Sequence, residues 1–177
     1  MSDPALTPWQ VREPAPGDAA PFAQLHARVW RETYRGIMTD EVVDALAPEQ
    51  FLPMWEQVVA AYAQGRVADD GRGFLVAVIG EEPVGFCRHG PARDEDPPAP
   101  HQVWSLNVAS EHQGSGVAQE LLARGLGERA AYLWVAQGNT RAIRFYERQG
   151  FALDGTENLD GHDGVVELRM VRPAPPG

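Results

Sequence analysis

A mixed α/β fold, with a sheet of mixed strand direction and helices on both faces, is predicted by three features of the 177-residue sequence. Helical periodicity fills the first third of the chain. Two apolar segments joined by a turn follow at 73–89. The remainder alternates strand, helix, strand, helix and strand. The length and a hydrophobic content of 44% suit one domain over 1–177, with a core of about 9–172 and short flexible termini.

Each element has a local reason. Trp9 to Arg12 reads as a short first strand. Asp18 is a candidate cap for a helix in which Phe22, Leu25, His26, Val29, Trp30 and Thr33 recur at helical spacing. Tyr34-Arg35-Gly36 forms a turn. A second short helix, capped by Thr39 or Asp40, carries Val42, Val43 and Leu46. Phe51, Trp55, Val58, Val59 and Tyr62 mark one more helical piece. Gly73 to Ile79, the turn Gly80-Glu81-Glu82-Pro83, and Val84 to His89 read as a β-hairpin. Pro91 to Pro100 is a polar, Pro-rich loop expected to be mobile, and Gln102 to Val108 is the next strand. A helix then runs through Val117, Leu121, Leu122, Leu126 and Ala130. Tyr132 to Val135 is a strand, and Thr140 to Gln149 is a helix stopped by Gly150. Phe151 to Leu153 and Val165 to Val171 form a last strand pair around a Gly161–Gly164 turn.

Composition narrows the function. Net charge is −10, which excludes a general nucleic-acid binder. All 15 basic residues are Arg, a bias that fits a high-GC bacterial genome. The charge is uneven. Residues 1–112 hold 17 acids and 8 Arg, and residues 151–177 hold 5 acids and 2 Arg. Residues 113–150 hold 3 acids and 5 Arg, for a net +2. That segment is either a seat for an anionic ligand or a set of solvated helix faces carrying Arg124, Arg129, Arg141, Arg144 and Arg148. The acidic remainder favours cationic substrates such as polyamines or aminoglycoside-like compounds. The single cysteine, Cys87, excludes an intramolecular disulfide and fits a reducing cytoplasm. Met1 to Gln10 lacks the pattern of a signal peptide, and no apolar stretch is long enough to span a bilayer. A cytoplasmic protein without membrane attachment is therefore expected. Cys87, His89, His101, His112 and His162 lack zinc-site spacing, so no metal is expected.

The sharpest local motif is Gln113-Gly114-Ser115-Gly116-Val117-Ala118, between a strand and a helix. A helix N-terminus exposes unpaired N–H groups at the positive end of the helix dipole, and small residues let an anion approach them. A P-loop would need a lysine that the chain does not have. A dinucleotide fingerprint would need a small residue at Gln119. The motif is therefore either a phosphate cradle of another kind or only a tight strand-to-helix turn.

Gln113-x-x-Gly116-x-Ala118, placed after a strand ending in Val108, resembles the Gln/Arg-x-x-Gly-x-Gly/Ala signature of the GNAT superfamily of acyl-CoA-dependent N-acyltransferases. The segment from Leu133 through Gly138, Asn139, Ala142, Phe145, Tyr146, Gly150 and Phe151 is similar to the second half of that family's pattern. Trp30-Arg31-x-Thr33-Tyr34-Arg35-Gly36 resembles the first-helix segment of a bacterial N-acetyltransferase branch. The resemblance covers roughly residues 11–172. It implies a mostly antiparallel sheet in which parallel strands 4 and 5 splay apart to admit acyl-CoA.

Carried over residue by residue, the resemblance implies an acetyl-CoA co-substrate and an amine acceptor, with a homodimer left open. Backbone amides of Gln113, Gly114, Ser115, Gly116, Val117 and Ala118 would hold the pyrophosphate. Leu106, Asn107 and Val108 would pair with the pantetheine arm, one N–H polarising the thioester carbonyl. Asn139 and Ala142 would complete the cofactor contacts, although Asn139 also reads as a plain helix cap. Tyr146 matches the family tyrosine that faces the CoA sulfur, and also reads as a core aromatic beside Phe145. As a catalyst it would protonate a leaving thiolate of pKa near 8.5 from a phenol near 10. Trp30 and Tyr34 would face the acceptor. The general base stays open among Glu32, His101, Ser105, Asn107 and a water chain, because strand 102–108 has no acid where many relatives carry one. The implied activity is acetyl transfer to a primary amine of a small molecule or peptide by direct attack. The alternative is a non-catalytic acyl-CoA-binding regulatory module on the same fold.

Overall fold

A computed structural model describes residues 8–66, 71–161 and 164–175. The elements in order are β1 (Gln10–Arg12), α1 (Ala19–Tyr34), α2 (Asp40–Asp44), α3 (Pro48–Ala63), β2 (Gly73–Ile79), β3 (Glu82–Pro91) and β4 (His101–Val108). A 3₁₀ turn at Ser110–His112 follows. The remaining elements are α4 (Val117–Leu126), β5 (Ala131–Ala136), α5 (Thr140–Arg148), β6 (Ala152–Asn158) and β7 (Glu167–Arg172). The strands form one sheet in the order β1-β2-β3-β4-β5-β7-β6.

All neighbouring pairs are antiparallel except β4 and β5. That parallel pair holds only over His101–Val103 against Ala131–Leu133. From Trp104 and Trp134 onward the two strands diverge while each keeps its outer partner. The resulting slot is the feature on which the candidate site depends.

Two apolar layers cover the sheet. Phe22, Leu25 and Val29 of α1 and Trp55 of α3 pack on Phe74, Val76, Val78 and Phe86. On the opposite face, Val117, Leu121, Leu122 and Leu126 of α4 and Tyr146 of α5 pack with Cys87, Leu133 and Met170. The alternation of strand side chains explains the division, with Phe86 facing one layer and Cys87 the other. Cys87 is fully enclosed and its thiol is pushed up to about 12 by burial, so it is a core residue rather than a nucleophile.

The structure departs from the sequence reading at several boundaries. Asp18 stands at the α1 N-cap but makes no cap hydrogen bond. Its carboxylate instead accepts from both terminal nitrogens of Arg12, at 2.6 and 2.9 Å, and from the Ala15 amide at 2.7 Å. Helix α4 ends at Leu126 rather than near Ala130, because Gly127 takes a positive φ of 56°. Strand β6 runs on to Asn158, five residues beyond the expected Leu153 and unmarked by any apolar alternation, because most of the strand is exposed. Part of the expected Gly161–Gly164 turn, residues 162–163, lies outside the described residues. The 91–100 connection is pinned at its ends. Ala92 N–H donates to Pro100 O, and the amides of Arg93 and Asp94 donate to the Tyr132 hydroxyl.

Candidate active site

A cleft of about 1140 Å³ passes through the sheet where β4 and β5 part. Its walls on one face are Ala118, Ala142, Phe145 and Tyr146. On the other they are His26, Trp30, Phe51, Met54 and Arg88, with residues 102–108 and 133–136 between.

The 113–118 loop closes one end. Gly114 and Gly116 have φ of 82° and 104°, left-handed values that a residue with a Cβ adopts only with strain. This backbone turns the chain from the 3₁₀ turn into α4. The amides of Gln113 and Ser115 are taken up by the carbonyls of Ser110 and His112. Those of Gly114, Gly116, Val117 and Ala118 meet no acceptor among the described residues. The donors available to an anion are therefore four of the six named from sequence. The Ser115 side chain turns back to His112 O, and the Val117 side chain is buried under α4, so neither side chain lines the cleft. Gln113 donates through Nε2 to Val108 O at 3.2 Å, which ties the loop to the end of β4.

Leu106, Asn107, Val108, Asn139, Ala142, Trp30 and Tyr34 all line the cleft. Asn139 caps α5, its Oδ1 accepting from the Ala142 amide at 3.1 Å, while the residue also borders the cleft. Tyr146 sits on α5 against Phe145 and Phe151, with ring centroids 5.2 and 5.7 Å away. Its hydroxyl has no hydrogen-bond partner among the described residues. Burial raises its pKa well above the usual tyrosine value, with Cys87 and Tyr34 adding to the shift. The phenol thus stays protonated and free to donate. The rings of Trp30 and Tyr34 lie on the opposite side with centroids 5.2 Å apart, tilted by 58°. The pKa of Tyr34 is raised by burial and by nearby Glu167.

The candidate bases separate. Glu32, Ser105 and Asn107 line the cleft. His101 does not. It lies at the closed start of the β4–β5 pair, with Nε2 3.4 Å from His89 Nδ1, so it is withdrawn as a base. Glu167, missed from the sequence, lines the cleft from the first residue of β7, where it pairs with Ala136 beyond the divergence. Arg88, Arg93, Arg141 and Arg148 also line it. Arg88 had a visible signal: a charge two residues after Phe86 on the apolar face of a hairpin strand. Glu167 had none, since its position depends on strand pairing. Of the five Arg in segment 113–150, only Arg141 and Arg148 border the cleft. Arg124 and Arg129 instead donate to the carbonyls of Val11 and Gly125.

A family model described as "Acetyltransferase (GNAT) family" matches residues 22–151. A probable N-acetyltransferase of Mycobacterium tuberculosis is 31% identical over 176 residues, covering 95% of this chain and 97% of that protein. A mycothiol acetyltransferase of Geodermatophilus obscurus is 30% identical over 155 residues. That match covers 79% of this chain and 50% of the relative. Among solved structures, the PaiA N-acetyltransferase of Thermoplasma acidophilum, in complex with coenzyme A, superposes with a TM-score of 0.70. It is 19% identical, and the match covers 98% of this chain and 99% of that one.

Proposed function

The chain belongs to the acetyltransferase (GNAT) family and is an acetyltransferase, and from that premise we propose that it transfers acetyl from acetyl-CoA to a primary amine by direct attack, within a single domain of about 9–172. The observation that carries this reading is the position of Tyr146, a protonated, unpartnered phenol in the slot between β4 and β5. The 113–118 amides lie at the donor end of that slot, and Trp30 and Tyr34 lie at the other.

The free amides of Gly114, Gly116, Val117 and Ala118 suit a pyrophosphate at the N-terminus of α4. Arg141 and Arg148 add positive charge along the same cleft. The diverging edge of β4, Leu106 to Val108, lies where a pantetheine arm would extend the sheet. The amine nitrogen attacks the thioester carbonyl carbon. A β4 amide stabilises the oxyanion as the tetrahedral centre forms. The C–S bond then breaks, and Tyr146 gives its proton to the departing thiolate. The proton lost by the amine leaves through water toward the carboxylates that line the cleft, Glu32 and Glu167. A non-catalytic acyl-CoA-binding module is not favoured, because the relatives above are named as acetyltransferases.

Calorimetry with coenzyme A, followed by thiol release from acetyl-CoA against an amine panel, tests the proposal. Saturable binding and amine-dependent thiol release are expected. Binding without release on any amine would return the module reading, and absence of binding would remove both.

A further inference from the structure

The acceptor end of the cleft holds a half-buried cation that has no counter-ion among the described residues. Arg88 of β3 opposes Phe74 on β2 and Ser105 on β4. Its guanidinium carbon lies 5.1 Å from the Phe74 ring centroid. Its Nε is enclosed and has no partner, and no carboxylate or carbonyl among the described residues takes its terminal nitrogens. Burial, and then Arg93, lower its pKa to about 10, so it remains charged at neutral pH. Arg93 is of the same sign and lies 3.7 Å over the Trp104 ring, also lining the cleft. Trp104 Nε1 and Ser105 Oγ beside them are enclosed without partners as well. The two acids that line the cleft, Glu32 and Glu167, form no ion pair with either arginine.

A buried charge left unpaired is costly, and folded proteins normally satisfy it with a counter-charge or with hydrogen bonds. Here the wall facing the open cleft is the remaining place for one. A planar guanidinium with free terminal nitrogens matches a carboxylate through two parallel hydrogen bonds. We propose that the acceptor is an amine that also carries a carboxylate, of the amino-acid class, with the carboxylate seated on Arg88 and Arg93 beside it. The proposal rests on the acetyl-transfer reading above and names its substrate class. It reverses the preference for polyamines drawn from the net charge of −10, because the cleft lining carries four arginines against two glutamates.

Matched acceptors test this: a set of amino acids, their carboxamides and the corresponding decarboxylated amines, with an aminoalkyl phosphate as a further arm. The free acids are expected to exceed the amides and amines in kcat/KM by roughly 10- to 100-fold, the range for a charged hydrogen-bonded pair. Arg88→Gln is expected to raise KM for the free acids more than it lowers kcat, and to shrink that ratio by a similar factor. Arg88→Lys should keep part of it. Arg88→Gln should melt no earlier than the parent in the absence of acceptor, since relief of an unpaired, partly desolvated charge offsets the lost contact with the Phe74 ring. Equal rates for acids, amides and amines overturn the proposal while leaving acetyl transfer intact. A preference for the phosphate, or a ratio unmoved by Arg88→Gln, also overturns it. Transfer to no amine at all, with coenzyme A still bound, overturns both readings.

Discussion

Gln113 Nε2 lies 3.2 Å from the carbonyl oxygen of Val108, so one side chain joins the loop at the head of α4 to the last residue of the diverging strand. The two parts expected to hold opposite ends of the coenzyme arm are thereby fixed relative to each other. Replacing the link with Gln113→Ala should weaken coenzyme A binding by about 2- to 10-fold, the worth of one neutral hydrogen bond. Calorimetry on both proteins measures this. An unchanged dissociation constant would mean that the loop holds its place without the tie.

Tyr146→Phe removes only a hydroxyl and leaves the ring against Phe145 and Phe151. Melting temperature and coenzyme A affinity should stay close to the parent. The turnover rate should fall by about 100-fold or more, as for loss of a positioned general acid. Burial raises the phenol pKa first of all. The parent should therefore not lose rate through phenolate formation below about pH 10, the reference tyrosine value. A Phe variant with full rate would remove the acid role.

Gly116 has a φ of 104°, and a Cβ there would meet the Trp9 ring only at ordinary contact distance, 3.6 Å. The cost of Gly116→Ala is therefore backbone strain rather than collision, about 1–3 kcal/mol. Thermal unfolding should register it. Coenzyme A affinity should also drop, because relaxing the strain rotates the amide that faces the ligand. A variant as stable as the parent would show that the loop tolerates another backbone path.

His26 is held neutral in the aromatic layer, stacked 4.0 Å from Phe51, and its pKa falls to about 3 through burial, with Arg88 adding to the effect. The unfolded chain takes up this proton near pH 6.5, well before the native state does. The unfolded form thus binds more protons between about pH 6.5 and 3, and stability falls as pH drops through that window. Unfolding free energies from urea titrations at pH 7 and pH 5 should differ by about 1–2 kcal/mol from this residue. His26→Leu should flatten the dependence. The same slope in the variant would assign the loss to other groups, among them His89, which burial lowers to about 4.

Much of the architecture was legible in local pattern. The helical spacing of Phe22, Leu25 and Val29 gave a true buried face, and the turn after Ile79 gave a true hairpin. The 113–118 loop was readable because its chemistry is that of the main chain, announced by glycine. The proposed acceptor end was not readable in the same way. Arg88 carried a local signal, two residues after Phe86 on the hairpin strand, but Glu167 comes within reach of the cleft only through cross-strand register, which no window of the sequence encodes. Charge totals say little about the slot for a related reason. A net −10 describes the outer surface, while the field inside the slot is set by a few arginines turned inward. Strand β6 was cut short because an exposed strand needs no apolar alternation.

The Tyr132 hydroxyl accepts from the amides of Arg93 and Asp94 and donates to Gln102 Oε1, so a single phenol beneath the sheet surface grips the connection that leaves β3. The backbone that carries Arg93 is accordingly arranged when the chain folds, before any substrate arrives. Rim residues of this kind select by preorganisation. On the proposed reading, an acceptor of the wrong shape would meet a fixed wall rather than a segment able to mould itself around the newcomer, and discrimination at that rim would come without an ordering step at each turnover.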